Sequence, residues 1–132
     1  MIYLLDTDTC IYLLESKAPG IAAHLRRLSP DDVGTTAITA AELHYGVQHS
    51  SRASENLDRL ETFLRFLPQL PFDASCAQHY GELKQALARR GTPIGPMNLL
   101  IAATALTHDA TLVTNNAREF DRVPGLRTEN WL

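Results

Sequence analysis

The chain has 132 residues, 45% of them hydrophobic and 20% charged, with a formal net charge of −3. That length fits one domain able to bury ~65–70% of its unfolded surface, and the composition excludes a disordered or fibrous chain. No apolar run approaches the ~20 residues of a membrane span, the acidic balance excludes a general basic coat for nucleic acid, and two cysteines, Cys10 and Cys76, are too few for a disulfide framework. No basic stretch precedes an apolar one at the N-terminus, so a cytoplasmic protein is expected. Ten of the twelve basic residues are arginine, the residue suited to bidentate phosphate contacts.

Strand and helix patterns alternate along the chain. Ile2-Tyr3-Leu4-Leu5 reads as a buried strand without alternation, as in a parallel sheet covered on both faces. Thr9 to Glu15 follows as a short helix, broken by Pro19-Gly20, and Ile21 to Leu28 as a second. After the turn cluster Ser29-Pro30-Asp31-Asp32, the β-branched stretch Val33 to Ile38 predicts the second strand. Thr39 and Glu42 have capping-box spacing and predict a helix through Leu43 and Val47. A polar break then leads to a helix carrying Leu57, Leu60, Leu64 and Leu67, ended by Pro68. Leu70-Pro71-Phe72 is a brief strand at best. Ala74 to Arg90 is a helix with Gly91 as its stop signal, and Thr92 to Pro96 a rigid loop. Met97 to Leu106, apolar nearly all round, predicts a buried helix. Thr111 to Thr114 and a last segment near Arg127 complete the strands. The expectation is one domain over residues 1–132, a three-layer α/β/α fold with a mainly parallel central sheet.

Ligands of such sheets sit beyond the carboxyl ends of the strands. Asp6 follows the first strand, Glu42 lies in the helix after the second, Asn98 opens the buried helix, and Asn116 follows the fourth strand. Right-handed crossovers bring these ends to one edge. Each residue also has a purely structural explanation. Asp6 and Asn98 could cap helices, Glu42 could complete the capping box, and Asn116 could stabilise a turn. Taken jointly, clustered oxygen donors suit Mg²⁺ or Mn²⁺, which at a phosphodiester would supply a hydroxide and stabilise the leaving oxygen.

Several stretches carry a family resemblance together: Leu4-Leu5-Asp6-Thr7, Thr39 to Val47, Ile94-Gly95-Pro96-Met97 through Ile101-Ala102-Ala103, Leu112 to Phe120, and Val123 to Leu126 with Asn130-Trp131. In this order they resemble the PIN-domain ribonucleases, and within them the VapC toxins of bacterial type II toxin–antitoxin pairs. The resemblance implies a PIN-like fold and a metal-dependent endoribonuclease acting on tRNA, initiator tRNA in the most similar-looking members. Asp6, Glu42 and Asn98 would take the metal-ligand positions and Asn116 the fourth site position, with Thr114 and Glu119 supporting them. The chain departs from the family pattern at Asn98, where an acid belongs. An amide there removes a charge, so weak metal binding and little cleavage are expected.

The resemblance also implies a VapB-type antitoxin, a toxin homodimer and contact with operator DNA only through the antitoxin, in a bacterial cytoplasm. Tyr45, Phe63 and Phe66 are candidates for gripping the antitoxin, although core packing explains them equally. Arg118 and Arg122 are candidates for RNA contact. Arg89-Arg90 and Arg26-Arg27 read more simply as favourable charge at helix ends. With Asn98 in place, a catalytically inactive module that only holds its antitoxin is the alternative. A third reading, Asp6-Thr7-Asp8 as the nucleophile motif of haloacid dehalogenase-type phosphatases, lacks the later lysine and acid pair that chemistry needs.

Overall fold

The computed structural model of the chain describes residues 2–132. Five strands, β1 (Tyr3–Leu5), β2 (Val33–Thr36), β3 (Gln69–Leu70), β4 (Thr111–Val113) and β5 (Thr128–Glu129), form one sheet in the order β3–β2–β1–β4–β5. Every neighbouring pair is parallel. Seven helices cover it among the described residues: α1 (Thr7–Leu14), α2 (Pro19–Arg26), α3 (Ala37–Gln48), α4 (Ala53–Arg65), α5 (Ala74–Arg89), α6 (Pro96–Thr107) and α7 (Ala117–Phe120).

Successive strand residues point to opposite faces, and here both faces are buried. Leu4 and Leu112 join the core formed with α5 and α6, together with Leu87, Ile101 and Phe120. Leu5 and Val113 join the opposite core, with Cys10, Ile21, Leu43 and Leu60 from α1 to α4. The unbroken apolar run at the N-terminus is the signature of this double burial. Both cysteines are free and buried, as their apolar contexts suggested.

Several boundaries differ from the sequence reading. Helix α2 runs Pro19–Arg26, because Pro19 suits the first helical position and opens the helix there. Helix α1 starts at Thr7 because Asp6 caps it, its carboxylate accepting the Thr9 N–H at 2.9 Å. Strand β2 stops at Thr36, whose hydroxyl accepts the Thr39 N–H at 3.0 Å and so opens α3 two residues before Thr39. The Thr39–Glu42 capping box therefore does not form: Thr36 sits nearer the strand and captures the orphan N–H first. Strand β3 is Gln69–Leu70, since Pro71 has no N–H to continue the ladder. Helix α5 ends as Gly91 predicts, in a Schellman turn with Gly91 at φ +68°: Thr92 N–H bonds Leu87 O at 3.0 Å and Gly91 N–H bonds Ala88 O at 3.1 Å.

Phe120 is wholly buried against the α5–α6 core, whereas Phe66 is 76% exposed. Phe120→Ala should destabilise the fold by about 3–5 kcal/mol, the cost of a large buried aromatic, while Phe66→Ala should stay within about 0.5 kcal/mol. Urea unfolding of the two variants, read at unchanged slope, checks this contrast.

Candidate active site

The carboxyl ends of β1, β2 and β4 lie side by side: Leu5 pairs with Thr35 and with Val113. Asp6 leaves β1 at the middle of that edge, its N–H bonded to Val113 O at 3.0 Å. Its side chain is only 4% exposed. One carboxylate oxygen accepts the Thr9 N–H, and the other accepts the Thr114 hydroxyl at 2.5 Å. Burial raises the Asp6 pKa above the ordinary aspartate value, against the lowering by the Thr114 and Thr9 hydrogen bonds, and nearby Asp8 adds to the rise. Asp6 thus caps a helix, and its second oxygen is also held from across the sheet.

Glu42 sits in the second turn of α3, not the first, yet still reaches this edge. Its carboxylate accepts the Thr7 hydroxyl at 2.5 Å, and the Thr7 oxygen in turn accepts the Thr39 hydroxyl at 3.3 Å. Thr7 links the two acidic residues: it follows Asp6 directly and binds Glu42. Reading Asp6-Thr7-Asp8 as a unit missed it, although a hydroxyl just after the strand-end acid was the available signal.

On the other side, the Thr114 hydroxyl accepts the Asn116 N–H at 2.9 Å, and the Asn116 amide donates to Glu119 at 3.1 Å. The second oxygen of Glu119 accepts the Gly95 N–H at 2.6 Å. Asn98, in the first turn of α6, lies against the same carboxylate; a Cβ built on Gly95 would sit 3.4 Å from Glu119 Oε1 and 4.0 Å from Asn98 Nδ2. The Gly95 N–H holds Glu119 below the ordinary glutamate range, aided by the Asn116 and Asn98 amides and by Arg122, and opposed by partial burial. Asp6, Thr114, Asn116, Glu119 and Asn98 therefore form one connected rim. Gly95, named in the sequence only as part of a matching stretch, is a site residue through its N–H, and Glu119 is more central than a supporting part. Neither Asn98 nor Asn116 makes a side-chain capping bond at its helix.

The other candidates separate. Arg122 is tied by its guanidinium to Pro93 O at 2.8 Å, and Arg118 is exposed beside it. An open apolar groove of about 290 Å³ runs from Glu42 between α1, α3 and α4, lined by Ile11, Leu43, Gly46, Val47 and Leu60 among others. A neighbouring hollow of about 430 Å³ continues past Leu13, Leu14 and Phe63. Helix α1 supplies a wall that the sequence reading had not given the groove. Phe63 lines its extension; Tyr45, 71% exposed, and Phe66 line neither hollow. Neither lysine supports the phosphatase reading, since Lys17 pairs with Glu15 at 3.1 Å and Lys84 lies over the Tyr80 ring.

Comparison with known proteins shows the family and the fold. A family model described as PIN domain matches residues 3–126. The chain is 41% identical over 132 residues to Ribonuclease VapC2 of Rickettsia felis, covering 99% of this chain and 98% of that protein. The chain belongs to the PIN-domain family, in its VapC branch. A tRNA(fMet)-specific endonuclease VapC of Salmonella typhimurium is 39% identical, over 98% of this chain and 97% of that protein. Among solved structures, VapBC2 from Rickettsia felis bound to a DNA fragment from their promoter aligns with a TM-score of 0.93 at 40% identity over 100% of both chains. DNA-bound VapBC from Salmonella typhimurium aligns with a TM-score of 0.95 at 38% identity, covering 100% of this chain and 99% of that one. The TM-scores extend this VapC-branch chain's similarity from sequence to fold.

The raised pKa of Asp6 has a stability consequence. A carboxyl whose folded pKa exceeds its unfolded one contributes fully below the unfolded value and loses that contribution as pH rises through the folded value. At neutral pH Asp6 therefore contributes less stability to the metal-free protein than it does in acid. Asp6→Asn, which keeps a capping oxygen, should raise the metal-free Tm at pH 7, and the gain should shrink as pH falls toward the ordinary aspartate pKa. A pH series of thermal melts in EDTA measures it.

Proposed function

We propose that this chain is the toxin of a VapBC-type toxin–antitoxin pair, built as a Mg²⁺- or Mn²⁺-dependent endoribonuclease for tRNA and weakened by Asn98. The observation that carries the reading is the connected rim at the strand ends, with a buried carboxylate, Asp6, at its centre. The names of the relatives support it: Ribonuclease VapC2 in Rickettsia felis and a tRNA(fMet)-specific endonuclease in Salmonella typhimurium. Initiator tRNA is accordingly the substrate we assign.

The donors at the rim are oxygens and amides, a set suited to a hard divalent cation. Among the described residues, however, no three His, Cys, Asp or Glu side chains are grouped to hold one ion. Asp6 and Glu42 supply two carboxylates, while Glu119 is turned to Gly95 and Asn116. An aspartate at position 98 would add a third carboxylate and set a like charge against Glu119, leaving a cation as the remedy. The amide does the reverse: it satisfies Glu119 and leaves the site without need of metal. A cation, when bound, supplies a water of lowered pKa and charge for the leaving oxygen. The chain's own residues orient that site: Thr9 and Thr114 fix Asp6, Thr7 fixes Glu42, and Gly95 fixes Glu119.

The solved VapBC complexes, two of them with DNA, support a VapB-type antitoxin as partner; contact with operator DNA through that antitoxin and a dimeric toxin are part of the same proposal. The apolar groove ending at Glu42 fits an amphipathic antitoxin helix, with a basic group meeting the carboxylates. The same groove favours the second reading, in which the chain as it stands only holds its antitoxin.

Cleavage of total tRNA by the chain and by Asn98→Asp, free of antitoxin, separates the two. Asn98→Asp should cut in Mg²⁺ or Mn²⁺ and stop in EDTA, with the unmodified chain slower by about 10²–10³-fold, the scale of losing one charged stabiliser. Equal cutting by both would show that position 98 is not essential. Cutting by neither would leave the antitoxin-holding module.

A further inference from the structure

Basic residues end α5 one short loop from the cleft rim, and their side chains are not needed to cap its last carbonyls. Arginine at a helix C-terminus commonly caps the last carbonyls. Here the Schellman turn has taken them: Ala86 O accepts the Arg90 N–H at 3.2 Å, Leu87 O the Thr92 N–H and Ala88 O the Gly91 N–H. Arg89 and Arg90 are exposed, and among the described residues neither guanidinium makes an ion pair or hydrogen bond.

The fold then carries this end to the site. Five residues, 91–95, separate Arg90 from the start of α6, so it lies within about 20 Å of that helix's first turn by chain reach. The loop is fastened to the cleft rim twice, by Arg122 to Pro93 O at 2.8 Å and by Glu119 to the Gly95 N–H at 2.6 Å. Arg118 is exposed on the same α7 segment, without an ion pair. The sequence holds no Asp or Glu between Glu82 and Asp109, while Lys84, Arg89 and Arg90 fall within that stretch. In a chain of net charge −3 this flank is locally positive.

We propose that Arg89 and Arg90, with Arg118, form a phosphate-binding track on the α5–α6 side of the cleft that seats the RNA backbone while the carboxylates face the bond to be cut. Guanidinium suits this by bidentate phosphate contact, and such contacts position a nucleic acid without reading its sequence. This rests on the ribonuclease reading above. Arg89 and Arg90 are positioning residues in that scheme and touch no reacting atom.

The molecule supplies its own control. Arg26-Arg27 ends α2 in the same dipeptide, but the chain then runs through Asp31-Asp32 to the opposite edge of the sheet, where Asp32 O accepts the Ile2 N–H at 2.9 Å. Charge at a helix end predicts equal consequences for the two pairs; a phosphate track predicts unequal ones. Binding of total tRNA should be measured by fluorescence anisotropy in EDTA across a salt series, for the full chain, Arg89→Ala/Arg90→Ala and Arg26→Ala/Arg27→Ala. The first double variant should bind about tenfold more weakly at ~0.1 M salt, with a salt slope shallower by about 1.4 to 1.8 for two lost phosphate contacts. The second should match the parent, and thermal melts of all three confirm folding. In Asn98→Asp, the α5 pair should raise KM for tRNA and leave kcat unchanged. Equal binding by all three proteins overturns the track and leaves the ribonuclease reading standing. No RNA binding by the parent, with Asn98→Asp inert, overturns both.

Discussion

Everything at the functional edge hangs on the two hydrogen bonds of the Asp6 carboxylate. One oxygen takes the Thr9 N–H and starts α1; the other takes the Thr114 hydroxyl and ties β1 to the end of β4. The group is buried, and its charge has no cationic partner among the described residues. Burial therefore pushes the pKa upward despite both donors, the arrangement expected where function is purchased from stability. The same burial, with the charge of Asp6 beside it, keeps the Cys10 thiol protonated, so that residue serves packing and not chemistry.

Around this centre two networks diverge. Thr7 carries it to Glu42 and the apolar groove between α1, α3 and α4. Asn116, Glu119 and Gly95 carry it to α6 and to the loop that follows Arg89 and Arg90. Position 98 stands where the second network meets the cleft. With an amide there, Glu119 receives hydrogen bonds from the backbone and from Asn116, and Asn98 itself helps hold its charge. Glu119 is then satisfied on that side, and among the described residues the site carboxylates without a cationic partner are Asp6 and Glu42.

Much of this was legible in the sequence. Parallel strands, double burial, the Gly91 stop and the placement of Asp6 and Glu42 at one edge followed from periodicity and topology. The misses have local causes. Thr36 and Thr39 are both competent caps, and only the backbone decides which one faces the free N–H; the choice fell on the residue still in the strand. Glu42 moved to the second turn yet kept its direction, since the helix began earlier. Tyr45 and Phe66 are exposed, so core packing does not explain them, while side-chain type alone does not say which helix face meets α1 and lines the groove. Gly95 acts through its backbone N–H, and a sequence gives no side chain by which to notice it.

The most direct test of the account is calorimetric titration of Mn²⁺ into the antitoxin-free chain and into Asn98→Asp. The account predicts no measurable binding by the chain and clear binding by the aspartate variant, because only the latter brings a third unsatisfied carboxylate to Asp6 and Glu42. Equal, tight binding by both would contradict it, showing that Asp6, Glu42 and Glu119 hold a cation without help from position 98.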